Sequence, residues 1–305
     1  MTIGKHFVPK NGKAKPPSDE PKQLPSGCNI GYGQNMTETP NAQIPPLLFF
    51  DTGVGGLSVL RETMALLPDA PIVYAADYAG LPYGMKTEAE LAARVPALLG
   101  RLVERYKPVL VTIACNTAST IALDHVRSAL NIPVVGTVPA IKPASLLTKT
   151  GVIGLLGTRA TIRQPYVDRL AADFASDKIL LRHAAPDLVF AAEAKLRGEI
   201  PDPRVIDEAI AGLTSQEGGE DIDTVILACT HFPLLQDELA KASRRPTLFI
   251  DGAQGIARRI AHLTKDVRWP SERRDGIFVT TGEISDIDPY RSLVGEYGIT
   301  RFETL

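Results

Sequence analysis

The chain has 305 residues, with 33 Lys+Arg against 35 Asp+Glu and a formal net charge of −2. That length buries a sizeable core and accommodates two domains of ordinary size, while the near-neutral balance supplies no basic field to draw nucleic acid or an anionic membrane surface, so neither is expected as a partner. No apolar run reaches the ~18 residues of a membrane span, and the opening residues lack the continuous apolar stretch of a secretory signal, so the expected location is cytoplasmic.

Eight prolines fall within the first 46 residues, among lysines, glycines and asparagines without apolar periodicity. Residues 1–45 therefore read as a disordered leader, with Cys28 an incidental thiol in it. Order is expected from Leu47, where LLFF is a short apolar run ended by DTGVGG and followed by Leu57, Leu60, Met64 and Leu67 on one helical stripe before Pro68. The same strand, turn, helix grammar recurs in PIVYAAD, LPYG and a helix from about Thr87 to Tyr106, then in PVLVTIACNTAST and a helix to Leu130. IPVVG follows, and GVIGLLGTRATI with a helix through Ala172. KILL, PDLVFAAEAKL, TVILACTHFPLL with a helix through Leu239, and TLFID with GAQGIARRIAHL complete the series. Strands this uniformly apolar, alternating with helices, indicate parallel sheet covered on both faces, an α/β fold.

PVLVTIACNT and DTVILACTHF are both apolar strands ending in Ala-Cys and small polar residues, and LLFFDTG pairs with IGLLGTR, placing Thr52 and Thr158 alike. The members of each pair lie roughly 110 residues apart, about one small domain, so the halves read as a duplication.

In open α/β sheets ligands bind outside the carboxyl ends of the strands. The residues there are Asp51 and Thr52; Pro82, Tyr83 and Gly84; Cys115, Asn116 and Thr117; Thr158 and Thr161; and Cys229, Thr230 and His231, with Glu193 near a helix start. If the halves face each other, one thiol stands on each side of the cleft. A cysteine where a strand passes into a helix meets unpaired N–H groups and the positive dipole end, which favours thiolate. A lone strand-end cysteine reads more simply as a small buried hydrophobe, but racemisation needs a base on one face of an α-carbon and an acid on the other, and matched cysteines supply both without metal or coenzyme.

Asp51 has two readings: a cap that orders DTGVGG, or a partner of the reacting thiol or a substrate ammonium. DTGVGG matches neither GxGxxG nor GxxxxGK[ST] and reads as a tight turn allowing close backbone approach. Asn116, Thr117 and Thr230 can cap helices and receive a carboxylate at once. His231 either shares a proton with Cys229 or is a satisfied turn histidine. Tyr83 is a turn plug or a cleft lid, and Glu193 from its helical position alone is a solvated acid. A zinc site of Cys115, Cys229 and His231 is disfavoured because no CxxC-type or HxxxH pair supports it.

Taken together, DTGVGGLSVL, LPYG, IACNTAST, GTRATI and LACTHFPLL resemble, in order and spacing, the signature blocks of the glutamate racemases of the aspartate/glutamate racemase family. GTVPAIKPAS, PYVDRL and AEAKLRGE resemble the family's proteobacterial branch. The resemblance implies two pseudo-symmetric, doubly wound, flavodoxin-like domains with the active site between them: 46–141 plus 250–305, and 142–249. It implies a cofactor-independent reaction in which Cys115 takes the proton from D-glutamate and Cys229 from L-glutamate, Asp51 assisting the first, Glu193 and His231 the second. Thr52, Pro82, Tyr83, Gly84, Asn116, Thr117, Thr161 and Thr230 would hold the substrate. A homodimer, a role in supplying D-glutamate for peptidoglycan, and activation by a UDP-linked muramyl peptide precursor are further implications of the same resemblance. Two departures are Thr52 where the family usually has serine, and Val138-Pro139-Ala140 where many members have Glu-Pro-Ala. The competing readings are a racemase of the same fold acting on aspartate or another amino acid, a non-catalytic two-domain binding protein, and a thiol oxidoreductase, the last disfavoured by the absence of a CxxC pair.

Overall fold

The computed structural model describes residues 44–272 and 274–305; the expected leader, including Cys28, lies outside the described residues up to position 43. The first half runs β1 (Leu47–Asp51), α1 (Leu57–Leu66), β2 (Ile72–Ala76), α2 (Glu88–Tyr106), β3 (Leu110–Ile113), α3 (Asn116–Ala129) and β4 (Val134–Gly136). It continues with α4 (Ile141–Leu147), β5 (Val152–Gly157), α5 (Arg159–Ile162), α6 (Pro165–Phe174), β6 (Ile179–Ala184), α7 (Asp187–Leu196) and α8 (Pro203–Thr214). Next come β7 (Thr224–Ala228), α9 (Gln236–Ala242), β8 (Leu248–Ile250), α10 (Ala253–Leu263), β9 (Gly276–Thr280), α11 (Arg291–Glu296) and β10 (Ile299–Thr304).

The strands form two sheets, ordered β10-β9-β2-β1-β3-β4 and β6-β5-β7-β8, and every pairing is parallel. Within them β2-β1-β3-β4 and β6-β5-β7-β8 repeat one topology, so Cys115 after β3 and Cys229 after β7 occupy equivalent places, as do Thr52 after β1 and Thr158 after β5. β1, β2, β3, β5 and β7 are buried throughout, as strands covered by helices on both faces must be. Residues 44–305 belong to one compact unit.

Local chemistry sets most boundaries. Thr87 caps α2 through a capping box with Glu90, and Lys107 closes the helix in the left-handed conformation. The helix expected from Thr161 through Ala172 is broken at Pro165, which lacks the N–H and starts α6 as its first residue. The helix expected to follow Cys229 directly is delayed: Phe232–Leu235 is a 3-10 turn, and α9 begins only at Gln236. α4, α8, α11, β9 and β10 have no counterpart among the elements expected from the sequence. α10 returns to the six-stranded sheet, where Ala253, Ile256 and Ile260 join Leu47, Phe49 and Tyr74 in its core, while α4 places Ile141 and Ala144 in one core with Ile153 and Leu155 of β5 and Val167 of α6.

Candidate active site

The strand ends of both sheets meet at one small cavity of about 30 Å³, lined on one side by Thr52, Pro82, Tyr83, Gly84, Met85, Cys115 and Thr117 and on the other by Thr158, Pro186, Val189, Phe190, Cys229, Thr230 and His231. Ten of the expected site residues line it; Asp51, Asn116, Thr161 and Glu193 are buried but are not in its lining. Both cysteines are buried free thiols.

Cys115 is the N-cap of α3, its Sγ accepting from the Ala118 amide at 3.5 Å. The dipole argument for a thiolate is outweighed here: burial first, then the negative Asp51, push the thiol well above its ordinary range, and the amides of Ala118 and Thr117 only soften the effect. Cys229 lacks an α-helix at its back because of the 3-10 turn, so the expectation of matched helix-dipole environments holds on one side only. Its neighbour in the cavity wall is instead His231.

Asp51 does not cap α1, whose N-cap Gly56 has no side-chain hydrogen bond; it orders the start of the turn and bridges to the other half. Oδ1 accepts from the Thr52 amide at 2.8 Å, and Oδ2 accepts from Thr230 Oγ1 at 3.0 Å across to the other half. Burial outweighs the nearby His231 and the donors Thr52, Thr230 and Gly56, and holds this carboxyl above the usual range. A carboxyl of raised proton affinity beside a raised thiol can share or relay a proton.

Glu193 is not the solvated acid that its helical position suggests; it is 4% exposed. His231 Nε2 lies 2.7 Å from Glu193 Oε1, and Tyr290 donates to Oε2 at 2.5 Å. Burial works against both charges of the pair, yet their mutual attraction prevails, lowering the Glu193 carboxyl and raising His231 well above the ordinary histidine range. DTGVGG exists to let this pair approach. A Cβ at Gly53 would sit 2.8 Å from Glu193 Oε1, and one at Gly55 would sit 2.6 Å from His231 Nδ1, distances no side chain tolerates.

Thr117, Thr158 and Thr161 close a triangle of hydroxyls at 2.9, 3.2 and 3.0 Å. Thr158 also caps α5 through the Thr161 amide. Three hydroxyls each able to donate or accept can turn toward a carboxylate and still keep one another satisfied. Tyr83 is both plug and wall: its ring lines the cavity, and Oη donates to Asp77 at 2.5 Å. Asp77 in turn receives both arms of Arg94 at 2.6 Å and the Thr281 hydroxyl at 2.5 Å, which outweigh burial and keep its carboxyl below the ordinary range. The LPYG loop is thus clamped by a charge network that no local motif announced.

Met85, Pro186, Val189 and Phe190 were not singled out in the sequence; they are the apolar part of the wall, and isolated apolar residues on helices carry no signal that separates cleft from core. Among the described residues no group of three His, Cys, Asp or Glu side chains is placed to hold a metal ion, and no helix is long and apolar enough to cross a membrane.

A duplicated parallel α/β frame that presents one thiol from each repeat to a shared buried cavity defines a class of protein, the α/β enzymes with paired cysteines. Residues 57–260 match the family model described as Asp/Glu/Hydantoin racemase. The chain is 63% identical over 266 residues, 87% of its own length and 99% of the relative's, to a glutamate racemase of Sphingopyxis alaskensis. It is similar at TM-score 0.79 and 39% identity to the crystal structure of Escherichia coli glutamate racemase in complex with L-glutamate and the activator UDP-MurNAc-Ala, covering 86% of this chain and 98% of that one. A Bacillus anthracis glutamate racemase structure matches at TM-score 0.72 and 26% identity, covering 86% and 96%. The chain belongs to the Asp/Glu/hydantoin racemase family, and it is an isomerase.

Proposed function

We propose that this isomerase interconverts L- and D-glutamate by a two-base transfer between Cys115 and Cys229. The observation that carries the reading is the cavity itself, walled by one thiol from each repeat with different partners behind each. The thiolate on one side removes the α-proton, leaving a carbanion delocalised into the α-carboxylate, and the thiol on the other side delivers its own proton to the opposite face. Following the family resemblance, Cys115 acts on D-glutamate beside Asp51, and Cys229 on L-glutamate beside His231 and Glu193. Thr52, Asn116, Thr117, Thr161 and Thr230, with the Pro82-Tyr83-Gly84 loop, hold the substrate. In this reading 46–141 plus 250–305 and 142–249 are two lobes that close on it.

Glutamate as substrate is supported by the relatives' identity, and the protein's role is then supply of D-glutamate for peptidoglycan in the cytoplasm, as a homodimer. Activation by a UDP-linked muramyl peptide precursor is supported by the complex formed by the E. coli relative. Polarimetry of L-glutamate with purified protein, chelator present, with and without UDP-MurNAc-Ala, tests both parts. The rotation is expected to decay to zero, and faster with the precursor. Decay with L-aspartate but not glutamate would reassign the substrate, and an unchanged rate with the precursor would remove the activation.

A further inference from the structure

The Glu193 carboxylate is held from two directions. His231 Nε2 lies at 2.7 Å on Oε1, and Tyr290 Oη donates to Oε2 at 2.5 Å. Tyr290 is 3% exposed and ends the 3-10 turn Ile284–Tyr290, in the C-terminal segment that packs with the six-stranded sheet, whereas Glu193 sits on α7 beside the other sheet. Its Oη also accepts from Arg197 Nη1 at 3.2 Å, one turn along α7 from Glu193, so the single phenolic hydrogen is left for Glu193 alone. Burial, then the charge of Glu193, push this phenol up to about 12, keeping it a donor throughout the neutral range. The ring packs against that of Tyr78, centroids 6.3 Å apart and planes tilted by 30°.

We propose that Tyr290 is a positioning residue for the Cys229 half-reaction: it reaches from the C-terminal segment to fix the Glu193 carboxylate, and through it His231, against the thiol. This rests on the two-base reading above. The other groups that face the pair are Tyr74 and Tyr78 from β2 and the turn after it, Arg197 on α7 itself, Asp51 at the end of β1, and Cys229. Tyr74, buried, and Tyr78, half-buried, are neutral phenols pushed well up, first by burial. Tyr290 is the one among these with its hydroxyl on the carboxylate that orients the imidazole. A donor on a carboxylate favours its charged form, so its removal makes Glu193 take up a proton at higher pH.

Tyr290→Phe tests this through the pH profile. The acidic limb of kcat/KM for glutamate is expected to move up by about one pH unit, with kcat reduced and KM little changed. In the Glu193→Gln background the same substitution is expected to cost nothing more, since its target is already gone. A purely structural tyrosine would lower activity without moving the limb, and its loss would multiply with that of Glu193→Gln; either result overturns the proposal. Iodoacetamide labelling at Cys229, separated from Cys28 and Cys115 by peptide mass, gives a readout without turnover: its half-maximal pH rises in Tyr290→Phe if the proposal holds and stays put if it fails. Wild-type protein that labels in this way yet leaves glutamate unchanged would defeat the proposed substrate and not the role of Tyr290. If Tyr290→Phe does not fold, Arg197→Gln, which frees the phenol to turn away, is expected to move both limbs in the same direction by a smaller amount, and unmoved limbs would overturn the proposal.

Discussion

The two thiols stand in different surroundings, and their partners make different demands. Cys115 has Asp51 behind it and is pushed up by burial and by that negative charge, so Asp51→Asn is expected to speed alkylation of Cys115 at neutral pH while lowering racemisation. Slower alkylation would show that Asp51 acts as the thiol's base more than as a neighbouring charge. The Glu193 carboxyl is lowered by its imidazole partner despite burial; a depressed acid contributes stability above its unfolded pKa of about 4.3 and loses it as pH falls through the folded value. Glu193→Gln is therefore expected to narrow the difference in melting temperature between pH 7 and pH 3, and an unchanged difference would contradict the buried ion pair. The cysteines, Asp51 and His231 were legible because their types are rare at strand ends. Glu193 looked like a surface acid, since its partners His231 and Tyr290 lie 38 and 97 residues away and no local spacing encodes them.

At the scale of elements, the glycine turn after β1 carries the most specific constraint. Gly55→Ala would place a methyl 2.6 Å from His231 Nδ1, and a displacement of that size is expected to reduce kcat by about 10²-fold with little effect on the circular dichroism spectrum; full activity would mean that the imidazole need not sit where it does. Thr87→Ala, by contrast, removes only the cap of α2 and is expected to cost about 1 kcal/mol of stability and none of the activity. The start of α2 at about Thr87 was readable from its amphipathic run, and the capping box of Thr87 with Glu90 is what fixes it there. The 3-10 turn after Cys229 was not, because HFPLL has the apolar content of a helix start and only Pro233 hints otherwise. β10 was missed for a related reason: it is an edge strand with several exposed positions and so lacks the continuous apolar signature of β1 or β7.

At the scale of the molecule, the repeat read from two short Ala-Cys motifs reappears as the order β2-β1-β3-β4 and β6-β5-β7-β8, with β9 and β10 added to one sheet only. The halves are tied at the cavity by Thr230 to Asp51, Thr117 to Thr158 and Ser58 to the Thr230 carbonyl. A cavity of about 30 Å³ holds a water or two, far less than a five-carbon diacid occupies; Met85 and Phe190 are the exposed residues of its lining. Glutamate at a hundred times its Kd is expected to raise stability by about 2.7 kcal/mol, seen as a higher melting temperature, and no shift would argue against binding at this site. The central claim is tested most directly by proton NMR of the protein with L-glutamate in D2O, following the α-proton signal together with optical rotation in wild type, Cys115→Ser and Cys229→Ser. In the wild type the signal and the rotation are expected to disappear together, and each single variant is expected to lose racemisation by about 10²–10⁴-fold while remaining folded. Rotation lost without α-proton exchange, or full racemisation by either variant, would contradict the two-thiol account.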